Sequence, residues 1–145
     1  QHIPYKGSAH AMTDLLGGQV HMYFSPPIVV MAHIQSGRLR PIVTSGDKRL
    51  AALPELPTAA ESGLKGFVVN IWYGLLAPAA TPRPVIDKLN AEVGRVLALP
   101  EIRERLTSQG MEPFTSTPDA FATLIRADAA KYASVIRSAN IRPEQ

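Results

Sequence analysis

Gly7, Ser8 and Ala9 follow a short apolar run, His2–Tyr5, and open a stretch in which Ala9, Met12, Leu15 and Leu16 recur at helical spacing. A loop in that position offers an incoming anion free backbone N–H groups and the positive end of a helix dipole. Gly7 allows the backbone close approach, and Ser8 adds a hydroxyl. Capture of a carboxylate or phosphate is the chemistry this suits. The plainer alternative, with Gly7 as a turn residue and Ser8 as an N-cap, stays open on the motif alone. Two more loops stand beyond strand-like runs, Ser25–Pro27 and Thr44–Asp47. Prolines strip the first of amide donors, leaving the Ser25 hydroxyl. Gly7, Ser8, Ala9, Ser25 and Thr44 are therefore the candidate ligand-binding residues.

Catalysis has thinner support. Ser8 with His10 would suit a small α/β hydrolase or transferase, yet no G-x-S-x-G surrounds either candidate serine, Ser8 or Ser25. His2, His10, His21 and His33 lack the H-E-x-x-H spacing, so neither a metal site nor a cofactor is expected. The chain has no cysteine, which removes thiolate chemistry and disulfides. Its carboxylates are scattered along helix-like stretches, with no pair placed for acid–base work. No catalytic residue is assigned.

Fifteen basic against twelve acidic residues in 145 give a net charge of +3. The only local excess is Arg38, Arg40, Lys48 and Arg49, without interleaved aromatics, so a solvated basic surface is expected rather than a nucleic-acid interface. The longest uncharged apolar stretch, 22–34, is shorter than a membrane span and holds two prolines and a histidine. The sequence starts at Gln1 rather than Met, which points to a processed protein or a piece of a longer one.

The elements that must position these loops read as strand 2–5, a helix from Ala9 to the Gly17-Gly18 stop, and strand 20–24. A helix opened by Pro26 and Pro27 and stopped at Gly37 follows, and then strand 40–44. Strand–helix alternation with short connections predicts a parallel α/β layer. Thr58 and Glu61 have capping-box spacing. The segment FVVNIWYGLLAPAA reads as one long strand crossing between two structural layers, with Trp72 and Tyr73 as core residues or cleft lining. Thr81-Pro82 and Thr117-Pro118 each read as an N-cap followed by a first-turn proline, and Gly110 as the C′ residue of a shorter helix begun at Pro100. Val85, Ile86, Leu89, Val93, Val96 and Leu97 form one apolar face of the helix after Thr81.

The ordered set PYKGSA, LLGGQV, HIQSGRLR, LPELPTAAESGLKGF, WYGLLAPAATP, RLTSQGMEP and STPDAFATLIRADAAKYASVI resembles the C-terminal half of a tripartite tricarboxylate transporter receptor, the Bug family. The resemblance covers essentially the whole chain. It implies a partial, periplasmic-binding-protein-like flytrap fold: one parallel α/β lobe plus the returning C-terminal helices of the other. On that basis residues 1–70 are the second-lobe segment with the carboxylate-receiving loop, 71–80 the inter-lobe crossing, and 81–145 a helical return to the first lobe.

The resemblance further implies a periplasmic or extracytoplasmic, non-enzymatic protein that passes a small organic carboxylate to a membrane permease. A missing N-terminal half of the receptor would supply the first lobe's sheet, and without it the last helices expose the face meant for that sheet. The chain is then a fragment or a self-associating half-receptor. Gly7, Ser8 and Ala9 match the family's carboxylate-receiving helix start, whereas His21 and Ser25 stand where relatives often carry Asp. A carboxylate-sensing interaction domain on the same fold is the remaining alternative.

Overall fold

The structure is a computed structural model that describes residues 1–141; residues 142–145, the end of the segment expected over 81–145, lie outside the described residues. Its five helices are α1 (Ser8–Leu16), α2 (Pro27–Gln35), α3 (Arg83–Ala98), α4 (Pro100–Ser108) and α5 (Pro118–Ser138). No helix is long and apolar enough to cross a membrane among the described residues.

Local sequence signals account for where these helices begin and end. Pro27 occupies the first turn of α2, where its missing N–H costs nothing. Thr117 caps α5, its hydroxyl accepting the Ala120 N–H at 3.2 Å; such a cap contributes about 1 kcal/mol. The chain ends α4 in a Schellman motif, with Met111 N–H on Leu106 O (3.0 Å) and Gly110 N–H on Thr107 O (2.9 Å). At Thr81 the expectation is off by one residue. Pro82 is the N-cap of α3 and, having no side-chain acceptor, leaves it uncapped; Pro84 is the first-turn proline.

The expected strands do not pair. Among the described residues the only ladder contact is a single parallel bridge between Thr44 and Thr58. Met22 (66%), Phe24 (67%), Ile42 (67%) and Leu75 (68%) are all solvent-exposed, so the residues that would face sheet neighbours find none here. A strand is defined by the backbone groups opposite it, and its own residues cannot supply those.

The chain divides into two compact units. The first comprises Gln1–Leu75 with Pro100–Pro113, the second Leu76–Leu99 with the chain from Phe114 onward. This differs from the expected assignment of all residues from 81 to the helical return, because α4 groups with the first unit. The packing reason is at Gly110, where an added Cβ would lie 2.6 Å from Pro27 Cβ and 2.8 Å from Met31 Cε. Backbone this close to α2 belongs to α2's neighbourhood.

In the first unit the buried residues are Ala11 and Met12 on α1, Met31 on α2, and Thr58 and Ala59 in the turn that meets Thr44. Tyr5 tethers the opening segment to α1, its hydroxyl donating to Asp14 Oδ2 at 2.7 Å. That hydrogen bond to a carboxylate raises the phenol pKa above its usual 10.0. In the second unit α3 meets α5. Arg83 joins their N-terminal ends, with Nε on Asp87 Oδ1 (2.8 Å) and a two-pronged contact to Asp119 (3.1 and 3.0 Å). Neither helix holds a fully buried residue. On α3's expected apolar face Ile86 and Leu97 are half-covered, while Val85, Leu89, Val93 and Val96 stay exposed.

Candidate functional site

The candidate residues all fall in the first unit, on three separate loops. Gly7 is the N-cap of α1 with φ 166° and ψ 164°, an extended conformation, and nothing lies within 4 Å of where its Cβ would be. The absent side chain therefore serves access rather than conformation. Ser8 is the first helical residue, not the cap, and no side chain caps the helix. Among the described residues no acceptor takes the amides of Ser8, Ala9 and His10, and the first turn has no acidic residue. The result is a helix start with open donors and no competing internal carboxylate.

Ser25, half-buried, turns its hydroxyl onto Pro26 O at 3.1 Å. The adjoining start of α2 is poor in donors, since Pro26 and Pro27 have no N–H and Val29 N–H already bonds Pro26 O (3.1 Å). Thr44 is more heavily engaged. Its N–H donates to Pro57 O (3.0 Å), its carbonyl accepts Ala59 N–H (2.8 Å), and its Oγ1 accepts Gly46 N–H (3.3 Å). The hydroxyl proton of Thr44 is left to give. Trp72 is half-buried and Tyr73 is 64% exposed, so Tyr73 is not a core residue in this structure.

No hydrogen bond or ion pair links the three loops directly among the described residues. What sequence reasoning missed is a fourth segment, 67–70, that touches two of them. Phe67 packs against Phe24, next to Ser25, with ring centroids 6.4 Å apart and planes at 46°. Val69 N–H donates to Ser45 O (2.8 Å), and Ser45 Oγ returns a bond to Val69 O (3.0 Å). Asn70 Oδ1 accepts the Asp47 N–H at 3.4 Å. These partners are more than twenty residues apart in sequence, and no local motif announces them.

Behind Thr44 the loop is closed by ion pairing. Thr58 N–H donates to Glu61 Oε2 (2.7 Å) and Glu61 N–H to Thr58 Oγ1 (3.1 Å), the two reciprocal bonds of the expected capping box. Arg49 Nε then lies on both Glu61 oxygens (3.1 and 3.0 Å), while its Nη1 donates to Pro54 O (3.0 Å). Lys48 pairs with Glu112, tying the same loop to the segment after α4. Two of the four basic residues read as solvated surface thus have carboxylate partners.

Arg49 first, and the Thr58 N–H second, hold the Glu61 carboxyl at about 2 against an ordinary 4.5. A depressed carboxyl stabilises the fold above its unfolded pKa and loses that contribution as pH falls through the folded value. The Thr58 amide proton is therefore expected to titrate near pH 2 in an NMR-monitored acid titration. Arg49→Ala should raise that midpoint toward 4.5. An unchanged midpoint in the variant would mean the guanidinium is not the cause.

Two surface recesses lie elsewhere. One is lined by Gln35, Ala52, Arg103, Glu104, Thr107 and Ser108, the other by Asn90, Ala91, Gly94, Thr115, Ser116 and Thr117. Neither contains a candidate residue. Both are open to solvent and bring together few charges, whereas the α1 start combines several donors of one sign. The chemistry favours the loops.

Comparison with known proteins gives the fold its context. The family model described as "Tripartite tricarboxylate transporter family receptor" matches residues 1–141. The chain is 31% identical to the structure of Rpa4515 from R. palustris with adipate, with a TM-score of 0.89, covering 98% of this chain and 48% of that one. It is 38% identical to the periplasmic binding protein BugD (TM-score 0.86), covering 98% of this chain and 48% of that one. With MatC from Rhodopseudomonas palustris, solved with bound malate, the figures are 33% identity and TM-score 0.81, over 92% of this chain and 47% of that one. The chain spans about two fifths of the length of most of the curated relatives it matches, 40% and 41% in two of them. The architecture is thus a partial periplasmic-binding-protein fold.

Proposed function

The chain belongs to the tripartite tricarboxylate transporter family of receptors, and we propose on that premise that it acts as the C-terminal half of an extracytoplasmic receptor for a small organic carboxylate. The observation that carries the reading is the uncapped start of α1, where among the described residues the Ser8, Ala9 and His10 amides face no acceptor. A carboxylate presents two oxygens to such a group of donors and gains charge-assisted hydrogen bonds. The Ser8 hydroxyl is a further donor, and the Thr44 hydroxyl supplies another on its own loop. Adipate in one structural relative and malate in another have the same ligand chemistry.

The receptor works in the periplasm with two partners, an N-terminal half that supplies the first lobe and a membrane permease that accepts the ligand. The exposed residues Val85, Leu89, Val93 and Val96 on α3 fit a helix that packs on a sheet from that half. The protein binds and does not catalyse, in keeping with family and structural relatives described as receptors and binding proteins.

A thermal-shift screen on the receptor assembled from both halves tests the reading. Carboxylates at about 100 times their Kd should stabilise it by about 2.7 kcal/mol, and matched uncharged amides should not. Stabilisation by the amides alone would sink the anion reading. Turnover of an ester that Ser8→Ala abolishes would instead favour an enzyme.

A further inference from the structure

We propose that Asn70 is a specificity-determining ligand contact, its side-chain amide donating to a second carboxylate of the bound ligand. The inference rests on the receptor reading above and extends it to a residue outside the three loops. The segment carrying Asn70 is fastened at three of its four positions, 67, 69 and 70. Phe67 packs against Phe24 with tilted rings, Val69 exchanges two hydrogen bonds with Ser45, and Asn70 Oδ1 holds the Asp47 N–H. Asn70 thus lies against the Thr44–Asp47 loop and two residues from the aromatic pair Trp72 and Tyr73.

The bond to Asp47 places Oδ1 of the carboxamide on a backbone donor. With Oδ1 committed to a backbone donor, the Nδ2 side of the group supplies two N–H donors, and no described residue accepts from them. Gly46 leaves room for this arrangement. A Cβ there would stand 3.4 Å from Asn70 Oδ1 and 3.3 Å from Lys48 O, tighter than such contacts normally run. The Asn70 side chain remains solvent-exposed, open to a ligand. A neutral donor with a fixed acceptor is well suited to telling ligand oxygens from ligand methyl groups. A site built to hydrogen-bond a polar group rejects the analogue lacking it, because the site's own group is then left unpaired.

The test compares each dicarboxylate with the monocarboxylate of equal carbon number, succinate with butyrate and adipate with hexanoate, by calorimetry on the receptor assembled from both halves. Wild type should prefer the dicarboxylates. Asn70→Asp keeps an oxygen for the Asp47 N–H but replaces the donor with a negative charge. It should lower dicarboxylate affinity by about tenfold or more while monocarboxylate affinity falls by less than about threefold. Lowering the pH until the new acid protonates should restore part of the loss. Asn70→Ala should also erase the preference. Equal losses for both ligand classes, or none for either, would overturn the proposal and leave the receptor reading standing. A wild type that binds neither class overturns the receptor reading, and the Asn70 proposal with it.

Discussion

Ser8→Pro is expected to lower carboxylate affinity by about 10- to 100-fold while α1 keeps its start. Ser8 is the first helical residue and Gly7 before it is extended, with φ 166° and ψ 164°. Proline favours the first helical position, and its ring demands an extended residue in front of it. The backbone thus accepts the ring without moving. What disappears is one amide donor and the hydroxyl, both aimed at the proposed anion. A hydrogen bond to a charged group contributes about 1.5–3 kcal/mol, and 1.4 kcal/mol is a factor of ten. Ser8→Ala keeps the amide and should lose only severalfold. Calorimetry with adipate, together with circular dichroism of the unliganded receptor, checks both. Equal affinity of wild type and Ser8→Pro would remove the α1 start from the site.

Gly110→Ala is expected to destabilise the first unit by about 2–4 kcal/mol. Two costs combine. Gly110 has φ +76°, where an L-residue pays about 1–2 kcal/mol. Its new Cβ would also press on Pro27 Cβ at 2.6 Å and Met31 Cε at 2.8 Å. The methionine tip can swing aside; the proline ring, fixed at the start of α2, cannot. Gly37→Ala isolates the first cost, since Gly37 has φ +73° and open space around it. Chemical denaturation of the three proteins should rank wild type, Gly37→Ala and Gly110→Ala in falling stability. Equal losses in the two variants would show that the contact with α2 carries no strain.

The same glycine separates what was legible from what was not. Its role as the C′ residue of α4 could be read from RLTSQG, because helix termination depends on φ at one residue and on bonds within one turn. Its neighbours could not. Pro27 and Met31 lie about eighty positions away in sequence, and that contact is why α4 belongs with the first unit. Thr58 and Glu61 repeat the pattern. Their reciprocal bonds follow from spacing, whereas Arg49's hold on Glu61 requires a loop that only the folded chain closes.

The strand-like runs show the limit most plainly. Their apolar composition marks segments suited to a sheet, but pairing needs edges that other segments must present, and among the described residues a single bridge forms, between Thr44 and Thr58. The proposed ligand loops divide along the same line. Gly7, Ser8 and Ala9 stand out because a helix start announces itself within four residues. Asn70 does not, because its bond to the Asp47 N–H joins residues 23 positions apart.

By itself, then, the sequence determined the course of the helices, the Thr117 cap of α5 and the Gly110 stop of α4, since each depends on dihedral preferences and hydrogen bonds within a turn or two. Tertiary structure alone decided which unit α4 joins, what holds Glu61 ionised and which residue flanks the Thr44 loop. Those outcomes are set by contacts between residues far apart in the chain, and such contacts exist only after the backbone has folded back on itself.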